Sequence, residues 1–480
     1  SATLALPLAG GAALLLAGAA LVYATLGTPG WYGDRLFVVL RPQADLSQAA
    51  AITDDDQRRS FVYTTLATHA NGTQADLRAH LARFGVESTP YYLVNAVELR
   101  GGLLARLLLL GRSEVERVMP SPVMRPIDPL PPALGGGAGQ PMGEPQWNLT
   151  SIGADRVWRE LNARGQGIVI GQSDSGAQWD HPELRDSYRG AAGDHEYNWL
   201  DPWTGSPAPV DSSSHGTHTL GSVLGNSVGV APDATWFACA NLQRNIGNPA
   251  LYLDCMQFML APYAPSGDPL RDGDPLRAAD VLNNSWGCPQ DYEGCDPDSL
   301  RTAVDNLTAA GIFVVASAGN DGPECSSIDA PIAIYENAFS VGAIDRSGDL
   351  ASFSSVGPVT VDGSGRIKPD ILAPGVDIYS ALPGDEYGEN SGTSMAGPHI
   401  AGVVALIWSA NPALIGEIAQ TRQILAETAR PFDERGTDFF GPESFNVCAA
   451  SADLSARPNN IAGYGVVDAY AAVQRALELR

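Results

Sequence analysis

The feature that most constrains the fold is an alternation of short apolar segments with helical ones from Gln146 onward. Four strands and three helices stand out, the strands at 167–171, 279–282, 312–316 and 338–344 and the helices at 299–310, 421–429 and 469–477. Uncharged strands separated by helices are typical of a parallel sheet covered by helices on both faces. We therefore predict an α/β, doubly wound, mainly parallel sheet in residues 146–480, with functional groups beyond the C-terminal ends of its strands.

A further apolar run, 400–408, follows the segment Gly-Thr-Ser-Met-Ala-Gly-Pro-His at 392–399. The run predicts a helix that is buried on all sides and has Ser394 at its N-terminus, where unpaired N–H groups and the helix dipole favour negative charge. Pro398 fits this helix poorly, because proline is tolerated mainly in the first turn. Taken alone, the segment is equally consistent with a Gly/Ser turn that caps a core helix.

The chain before Gln146 divides into three predicted parts. Residues 1–33 carry no charged side chain and include an apolar stretch long enough to span a bilayer, which favours a transmembrane anchor over a truncated signal peptide, and both over a buried helix. Residues 34–125 follow the pattern strand (35–41), helix (54–84), strand (91–100), helix (102–111) and strand (114–119), with the first helix interrupted near Asn71-Gly72, and predict a small α+β unit. Residues 126–145 are rich in Pro and Gly, which predicts an exposed linker.

Charge and cysteine usage exclude several classes of partner and site. Acidic residues outnumber basic ones by 54 to 29 and no basic run occurs, so nucleic acid is not expected as a partner. The sequence has no CxxC pair and no HExxH motif, which argues against a zinc site. Its six cysteines suit an oxidising compartment, and Cys288 and Cys295 are placed to close a short loop, although six buried free thiols are the alternative.

Three polar segments contain the residue types needed for acyl transfer. Asp174 follows a predicted strand, His215 precedes the apolar stretch 220–224, and Ser394 begins the predicted buried helix. In such a set the serine attacks, the imidazole takes and returns its proton, and the carboxylate orients the imidazole. Each residue alone is more often structural, so the prediction depends on the three acting together.

The order Asp, His, Ser along the chain is that of subtilisins. The sequence resembles the subtilisin family of serine peptidases in its segments Asp-Ser-Gly at 174–176, His-Pro-Glu-Leu at 181–184, His-Gly-Thr-His at 215–218, Ser-Ala-Gly-Asn at 317–320, 392–399 and 463–469. The resemblance spans most of residues 146–480. It implies a subtilisin-like peptidase domain that hydrolyses peptide bonds of polypeptide substrates through an acyl-enzyme intermediate.

The resemblance also implies the roles of four catalytic residues. Asp174 matches the orienting acid, His215 the general base and acid, and Ser394 the nucleophile. Asn320 matches the side-chain donor of the oxyanion hole, with the Ser394 backbone N–H as the second donor. His215 also excludes the related Ser-Glu-Asp type, which lacks a histidine at this position.

Two segments match the family's substrate-binding residues. Ser285, Trp286 and Gly287 correspond to the extended segment that pairs with the substrate backbone, and Trp286 either lines an apolar subsite or belongs to the core. Ser317, Ala318 and Gly319 correspond to one wall of the pocket for the residue before the cleaved bond. Asp321 at the rim of that pocket either favours a basic side chain there or is an ordinary turn residue.

The family pattern assigns other residues outside the catalytic set. His218 and His399 belong to the pattern and are interpreted as packing residues. Glu183 matches a position that binds structural calcium in some relatives, and no compact run of alternating acids supports such a site here. The resemblance implies no cofactor and no metal in catalysis, and leaves structural calcium open.

By resemblance, residues 34–125 are a propeptide with a ferredoxin-like fold that assists folding and then inhibits the peptidase intramolecularly. The chain would then be a zymogen that cleaves itself between Met124 and Pro145. A membrane anchor or signal segment at residues 1–33 implies a membrane-tethered or secreted protein with its catalytic domain on the extracytoplasmic side. The alternative function is a catalytically silent subtilisin fold that serves as a binding or structural subunit of a membrane assembly.

Overall fold

The computed structural model describes residues 11, 14–18, 35–121, 145–190, 192–243, 247–432 and 455–480. The predicted anchor or signal segment lies outside this part of the chain, except for helical residues at 11 and 14–18. The predicted linker also lies outside it, apart from Pro145. Within the described residues, no helix combines the length and the apolar character needed to cross a membrane.

A small α+β unit is built from residues 35–121. Its elements in chain order are β1 (Arg35–Leu40), α1 (Asp55–Ala82), β2 (Glu87–Tyr91), β3 (Ala96–Arg100), α2 (Gly102–Leu109) and β4 (Val115–Pro120). The four strands pair antiparallel in the order β2-β3-β1-β4, which is the ferredoxin-like arrangement.

Two sequence predictions within this unit are wrong. The strand predicted at 91–100 is the end of β2, a turn and then β3, because the polar segment Glu-Ser-Thr-Pro at 87–90 hides the start of β2. The predicted interruption near Asn71-Gly72 does not occur, and α1 continues through both residues. Side-chain packing against the sheet outweighs the poor helix propensity of this pair.

Strand β1 is apolar on both faces because both faces are covered. Leu36, Val38 and Leu40 pack with residues of α1 and α2. Phe37 and Val39 point the other way and belong to the same core as the helices of the large unit described next. The small sheet is therefore sandwiched between its own helices and residues 146–480.

The large unit is organised around a seven-stranded sheet. Its strands are β5 (Val169–Asp174), β6 (Trp199–Leu200), β7 (Thr235–Ala240), β8 (Val281–Asn284), β9 (Phe313–Ser317), β10 (Phe339–Ile344) and β11 (Ile371–Pro374). They lie in the order β11-β10-β9-β8-β5-β7-β6, and every neighbouring pair is parallel. A separate antiparallel hairpin consists of β12 (Ile378–Leu382) and β13 (Glu386–Asn390).

Helices cover both faces of this sheet, as predicted. They are α3 (Trp147–Ser151), α4 (Ala154–Arg156), α5 (His215–Leu224), α6 (Pro249–Leu260), α7 (Gln290–Glu293), α8 (Arg301–Ala309), α9 (Thr393–Ala410), α10 (Ile418–Thr428) and α11 (Ala469–Glu478). Helices α5, α9, α10 and α11 share one hydrophobic core, while α6 and α8 share the other with the small unit. The α/β doubly wound fold predicted from the sequence is confirmed.

The turn between β2 and β3 docks onto helices α6 and α8. The side-chain oxygen of Gln257 on α6 accepts hydrogen bonds from the backbone N–H of Tyr92 at 2.6 Å and of Leu93 at 3.2 Å. The Asn306 amide on α8 donates to the Leu93 carbonyl at 2.7 Å. An ion pair between Arg59 and Asp280, 2.6 Å apart and almost fully buried, adds a second attachment point.

The predicted Cys288–Cys295 disulfide is present and closes the loop that contains α7. A second disulfide joins Cys239 at the end of β7 to Cys255 on α6. Cys325 is also disulfide-bonded. No free cysteine occurs among the described residues, so the alternative of six free thiols is wrong.

Candidate active site

Three elements bring the predicted acid, histidine and serine to the C-terminal edge of the sheet. Asp174 is the last residue of β5, which lies where the chain changes direction across the sheet. His215 is the first residue of α5, and Ser394 is the second residue of α9. Loops beyond the C-terminal strand ends are where α/β sheets bind their ligands.

Asp174 is fully buried and is oriented by several donors. Its Oδ1 atom lies 2.7 Å from Nδ1 of His215 and accepts the Ser175 backbone N–H, also at 2.7 Å. Its Oδ2 atom accepts the Thr219 hydroxyl at 3.1 Å. These contacts leave the carboxylate facing Nδ1, so the other imidazole nitrogen, Nε2, is the one available for proton transfer.

The pKa of His215 is raised above its ordinary value. Burial alone would lower it, because burial penalises the imidazolium, but the charge and hydrogen bond of Asp174 and the charge of Asp211 outweigh that penalty. Asp211 belongs to the loop that leads into α5. Its carboxylate accepts the backbone N–H groups of Ser213, Ser214 and Thr217 and so fixes the start of the helix.

Ser394, His215 and Asn320 line one cleft of about 450 Å³. The Ser394 hydroxyl donates to the Ser285 carbonyl at 3.1 Å. The hydroxyl must turn away from this carbonyl before it can pass its proton to an imidazole. Hydrogen bonds between a serine hydroxyl and an imidazole are often made only when substrate is bound.

The structure explains how Pro398 is tolerated inside helix α9, which the sequence alone did not. It is the sixth residue of α9 and has no N–H to donate to the carbonyl four residues earlier, which is that of Ser394. The hydroxyl of Ser285 donates to this carbonyl instead, at 2.9 Å. Pro398 thus lets the segment after β8 attach directly to the first turn of α9.

Asn320 is oriented by Thr393. Its Oδ1 atom accepts both the backbone N–H and the hydroxyl of Thr393, each at 2.9 Å. This leaves the Nδ2 group of Asn320 as the donor on the side of the cleft that also contains Ser394. A neutral amide held in this way can stabilise an oxyanion without the reorganisation that a free side chain would need.

Comparison with known proteins agrees with this arrangement. The sequence model of the Subtilase family matches residues 165–465, which is most of the large unit. The chain belongs to the subtilase family. Residues 165–465 are accordingly a subtilisin-like serine peptidase domain, and the family resemblance inferred from the motifs is confirmed.

Individual relatives extend the similarity beyond the family segment. The subtilase chain is 33% identical over 458 residues to Bacillopeptidase F of Bacillus subtilis (strain 168), which covers 90% of this chain and 30% of that protein. It is 34% identical to Subtilisin NAT of Bacillus subtilis subsp. natto over 60% of this chain and 66% of that protein. It is also 34% identical to Subtilisin of Bacillus pumilus, of which it covers 92%. The chain therefore spans less than two thirds of the first two relatives.

The predicted substrate-pairing segment lies in the cleft of this subtilase. Ser285, Trp286 and Gly287 follow β8 and line the cleft together with Ser394. Trp286 is largely buried, stacks on Tyr252 with ring centroids 4.0 Å apart, and donates its indole N–H to the Ser173 carbonyl at 2.9 Å. It is thus both a packed core residue and part of the cleft wall, and its part in an apolar subsite stays a prediction.

The second predicted segment, Ser317 to Gly319, leads from β9 to Asn320. The Ser317 hydroxyl donates to the Thr393 carbonyl at 3.0 Å, and the Gly319 N–H donates to the Thr393 hydroxyl at 3.1 Å. Together with buried Ala318, these residues fix the position of Asn320 relative to α9, and their part in a substrate pocket stays a prediction. Asp321 is exposed at the end of the segment.

His218 and His399 are packing residues, as interpreted from the sequence. His218 is fully buried, and its Nε2 atom lies 2.9 Å from the Ile378 carbonyl. His399 lies between the Met395 carbonyl and the Asn148 amide, at 2.8 Å from each. Burial lowers the pKa of both to about 4, so each is neutral near pH 7.

The surroundings of Glu183 do not fit the calcium role. Its carboxylate accepts the backbone N–H and the hydroxyl of Ser227, at 2.7 and 2.6 Å, and the Tyr387 hydroxyl at 2.9 Å. Calcium needs six to eight oxygen ligands around it, whereas hydrogen-bond donors face this carboxylate. No group of three His, Cys, Asp or Glu side chains gathers elsewhere in the described part of the chain.

Two residues of the site were missed by the sequence analysis. Asp211 precedes Ser-Ser-Ser-His, a pattern that indicates an acid fixing the start of a helix and could have been recognised. Glu293 lies in the cleft wall but belongs to a loop that only the Cys288–Cys295 disulfide and tertiary packing bring there. No local pattern in the sequence marks its position.

Proposed function

We propose that this subtilase is a serine endopeptidase that hydrolyses polypeptides through an acyl-enzyme intermediate. The observation that carries the proposal is the convergence of the Asp174–His215 pair, Ser394 and Asn320 on one cleft. Acyl transfer by such a set needs no cofactor.

In the proposed mechanism Ser394 attacks the scissile carbonyl while His215 removes its proton. The imidazolium that forms is stabilised by the carboxylate of Asp174 at 2.7 Å. Nδ2 of Asn320 and the N–H of Ser394 stabilise the oxyanion, and His215 then protonates the leaving amine. Water attacks the ester in the second half of the reaction, again with His215 as the base.

The substrate backbone would pair with residues 285–287, which continue from β8 along the cleft. Strand addition of this kind supplies affinity through main-chain hydrogen bonds, while side-chain pockets supply specificity. The attachment of Ser285 to the first turn of α9 supports this role, because it holds the pairing segment at a fixed position relative to Ser394.

The small unit would act as the inhibitory propeptide of a zymogen. Its position supports the proposal, since its sheet shares a core with α6 and α8 and its turn is bound by Gln257. Self-cleavage between Met124 and Pro145 would release it. Disulfide bonds support a secreted or membrane-tethered protein whose catalytic domain is extracytoplasmic, because they persist in oxidising compartments.

The second candidate is a catalytically silent subunit of a membrane assembly. The complete set of Asp174, His215, Asn320 and Ser394, each held by specific partners, favours the enzyme instead.

Turnover of an internally quenched peptide with both termini blocked tests the endopeptidase proposal. Processed wild-type protein should cleave it, and both Ser394→Ala and His215→Ala should lose at least about a thousandfold in kcat/KM. Ser347→Ala, in an exposed loop, is the matched serine control and should cleave at the wild-type rate. Equal activity of Ser394→Ala and wild type, or inactivity of processed wild type, would contradict the proposal.

A further inference from the structure

One carboxylate in the cleft wall has no part in the chemistry proposed above. Glu293 is the last residue of α7, in the loop closed by the Cys288–Cys295 disulfide. Its side chain is only 1% exposed, yet it lines the same cleft as Ser394. A buried acid at a cleft wall is a costly feature unless its charge is used or fully compensated.

Glu293 is positioned by two hydrogen bonds. The Tyr252 hydroxyl donates to its Oε2 atom at 2.7 Å, and the Gly247 N–H donates to its Oε1 atom at 3.0 Å. A carboxylate can accept about four hydrogen bonds, so these two donors leave acceptor capacity on both oxygens.

An aromatic surface adjoins this carboxylate. Tyr252 stacks on Trp286 with its ring plane 12° from parallel, and Trp286 also lines the cleft. An indole face beside a carboxylate is a favourable environment for a planar or extended cation, which gains both cation–π attraction and a charge-assisted hydrogen bond.

The charges around the cleft favour a cation as well. Glu293 is the one carboxylate among the described residues that line it, and no Lys or Arg is among them. Among the described residues, the titratable group bonded to Glu293 is Tyr252 on α6, while His215 lines the same cleft and Asp291 on the same helix is exposed. Burial raises the pKa of Glu293 to about 7, in spite of the hydrogen bonds from Tyr252 and Gly247.

We propose that Glu293 and Trp286 form a subsite for an arginine or lysine side chain of the substrate, on the amino-terminal side of the scissile bond. The proposal rests on the proposed peptidase function. The position follows from Trp286, which belongs to the segment that would pair with this part of the substrate backbone. Because Glu293 is buried, a long side chain reaches it and a short cationic one does not.

The subsite differs from the one indicated by the sequence. Asp321 would favour a basic side chain immediately before the cleaved bond, but it is exposed to solvent, where a single ion pair contributes little. Glu293 is buried against Tyr252, so its interaction with a cation is screened much less. Asp321→Asn is therefore the matched control, because it also removes one carboxylate near the site.

The test uses paired peptides that differ only in arginine or citrulline, placed in turn at each of the four positions before the scissile bond. Citrulline keeps the size and planarity of arginine and removes its charge. Processed wild-type protein at pH 8.5 should prefer arginine at one position by at least about tenfold in kcat/KM. Glu293→Gln should reduce that preference to less than about twofold, whereas Asp321→Asn should keep it.

A second measurement needs no substitution. Because Glu293 is neutral below its pKa, the arginine-to-citrulline ratio of wild type should fall as the pH is lowered from 8.5 to 5.5. The titration of His215 affects both peptides alike and cancels in the ratio. Equal turnover of both peptides at every position, or an unchanged ratio in Glu293→Gln, would overturn the subsite alone. Turnover of neither peptide would overturn the peptidase function and the subsite with it.

Discussion

At the scale of single residues, each proposed catalytic group is held by a partner that leaves its proposed reactive atom for the cleft. Thr393 binds the oxygen of Asn320 and leaves the amide nitrogen for the oxyanion. Asp174 occupies one nitrogen of His215 and leaves the other for proton transfer. Preorganisation of this kind removes the cost of orienting donors while the reaction proceeds.

Asn320 allows a direct test of the oxyanion role. Asn320→Ala removes the donor without changing the triad, so kcat should fall about 10²- to 10³-fold while KM stays nearly constant. Thr393→Val is the positioning control, since it keeps the backbone N–H bond to Asn320 and removes the hydroxyl that bonds Asn320 and Gly319. Its kcat should fall by less than about tenfold. If Asn320→Ala raised KM and left kcat unchanged, Asn320 would act in substrate binding instead.

Functional residues can be predicted from the sequence when they belong to a short local motif. Asp174, His215, Asn320 and Ser394 each lie at or just beyond the end of an element, in a short motif that can be recognised without the fold. Glu293 could not be found in this way, because it reaches the cleft only through the packing of Tyr252 and a disulfide loop. The donors that surround Glu183 could not be predicted for a similar reason, since Ser227 and Tyr387 come from distant segments.

At the scale of elements, four strands of the large sheet (β5, β8, β9 and β10) were predicted to within a few residues, whereas β6, β7, β11 and the buried helix α6 were not predicted. The helix after Ser394 is Thr393–Ala410, and the strand predicted at 312–316 is Phe313–Ser317. In the small unit, one error fell where polar residues form a strand that tertiary contacts stabilise, Glu87–Tyr91. The uninterrupted apolar run of β1 could have predicted that both its faces are covered, although not by which surface.

The surface between the small unit and α6 contains two acids whose protonation should control docking. Glu98 on β3 is buried with Ser121 and Arg35, and Asp254 on α6 accepts the Tyr91 hydroxyl at 3.4 Å. Burial, then the charge of Glu98, raises the pKa of Asp254 to about 8. Burial also raises the pKa of Glu98, in spite of the charge of Arg35 and the hydrogen bond from Ser121.

Docking should therefore weaken as the pH rises. The docked form holds more protons than the separated form. The affinity of the small unit for the rest of the chain therefore falls as the pH rises from the ordinary pKa of a carboxyl group to about 8. After processing, the released segment should bind at least about tenfold more weakly at pH 9 than at pH 5.5, as measured by gel filtration. Asp254→Asn should remove most of this difference. Equal retention of the segment at both pH values would contradict the prediction.

At the scale of the whole molecule, the fold combines a subtilase domain with a small unit docked on helices α6 and α8. That docking face could not be predicted from the sequence, because it depends on Gln257, Asn306 and Asp280, which lie far from residues 35–121 along the chain.

The central claim is that Ser394 is the nucleophile of a peptidase activated by loss of the small unit. Labelling with a fluorophosphonate probe, read by intact mass on wild-type and Ser394→Ala protein, tests it most directly. We expect one adduct per chain on a species that lacks the residues before the linker, and none on Ser394→Ala. Absence of labelling on wild-type protein from which residues 1–125 have been cut away would contradict the claim and favour the silent subunit.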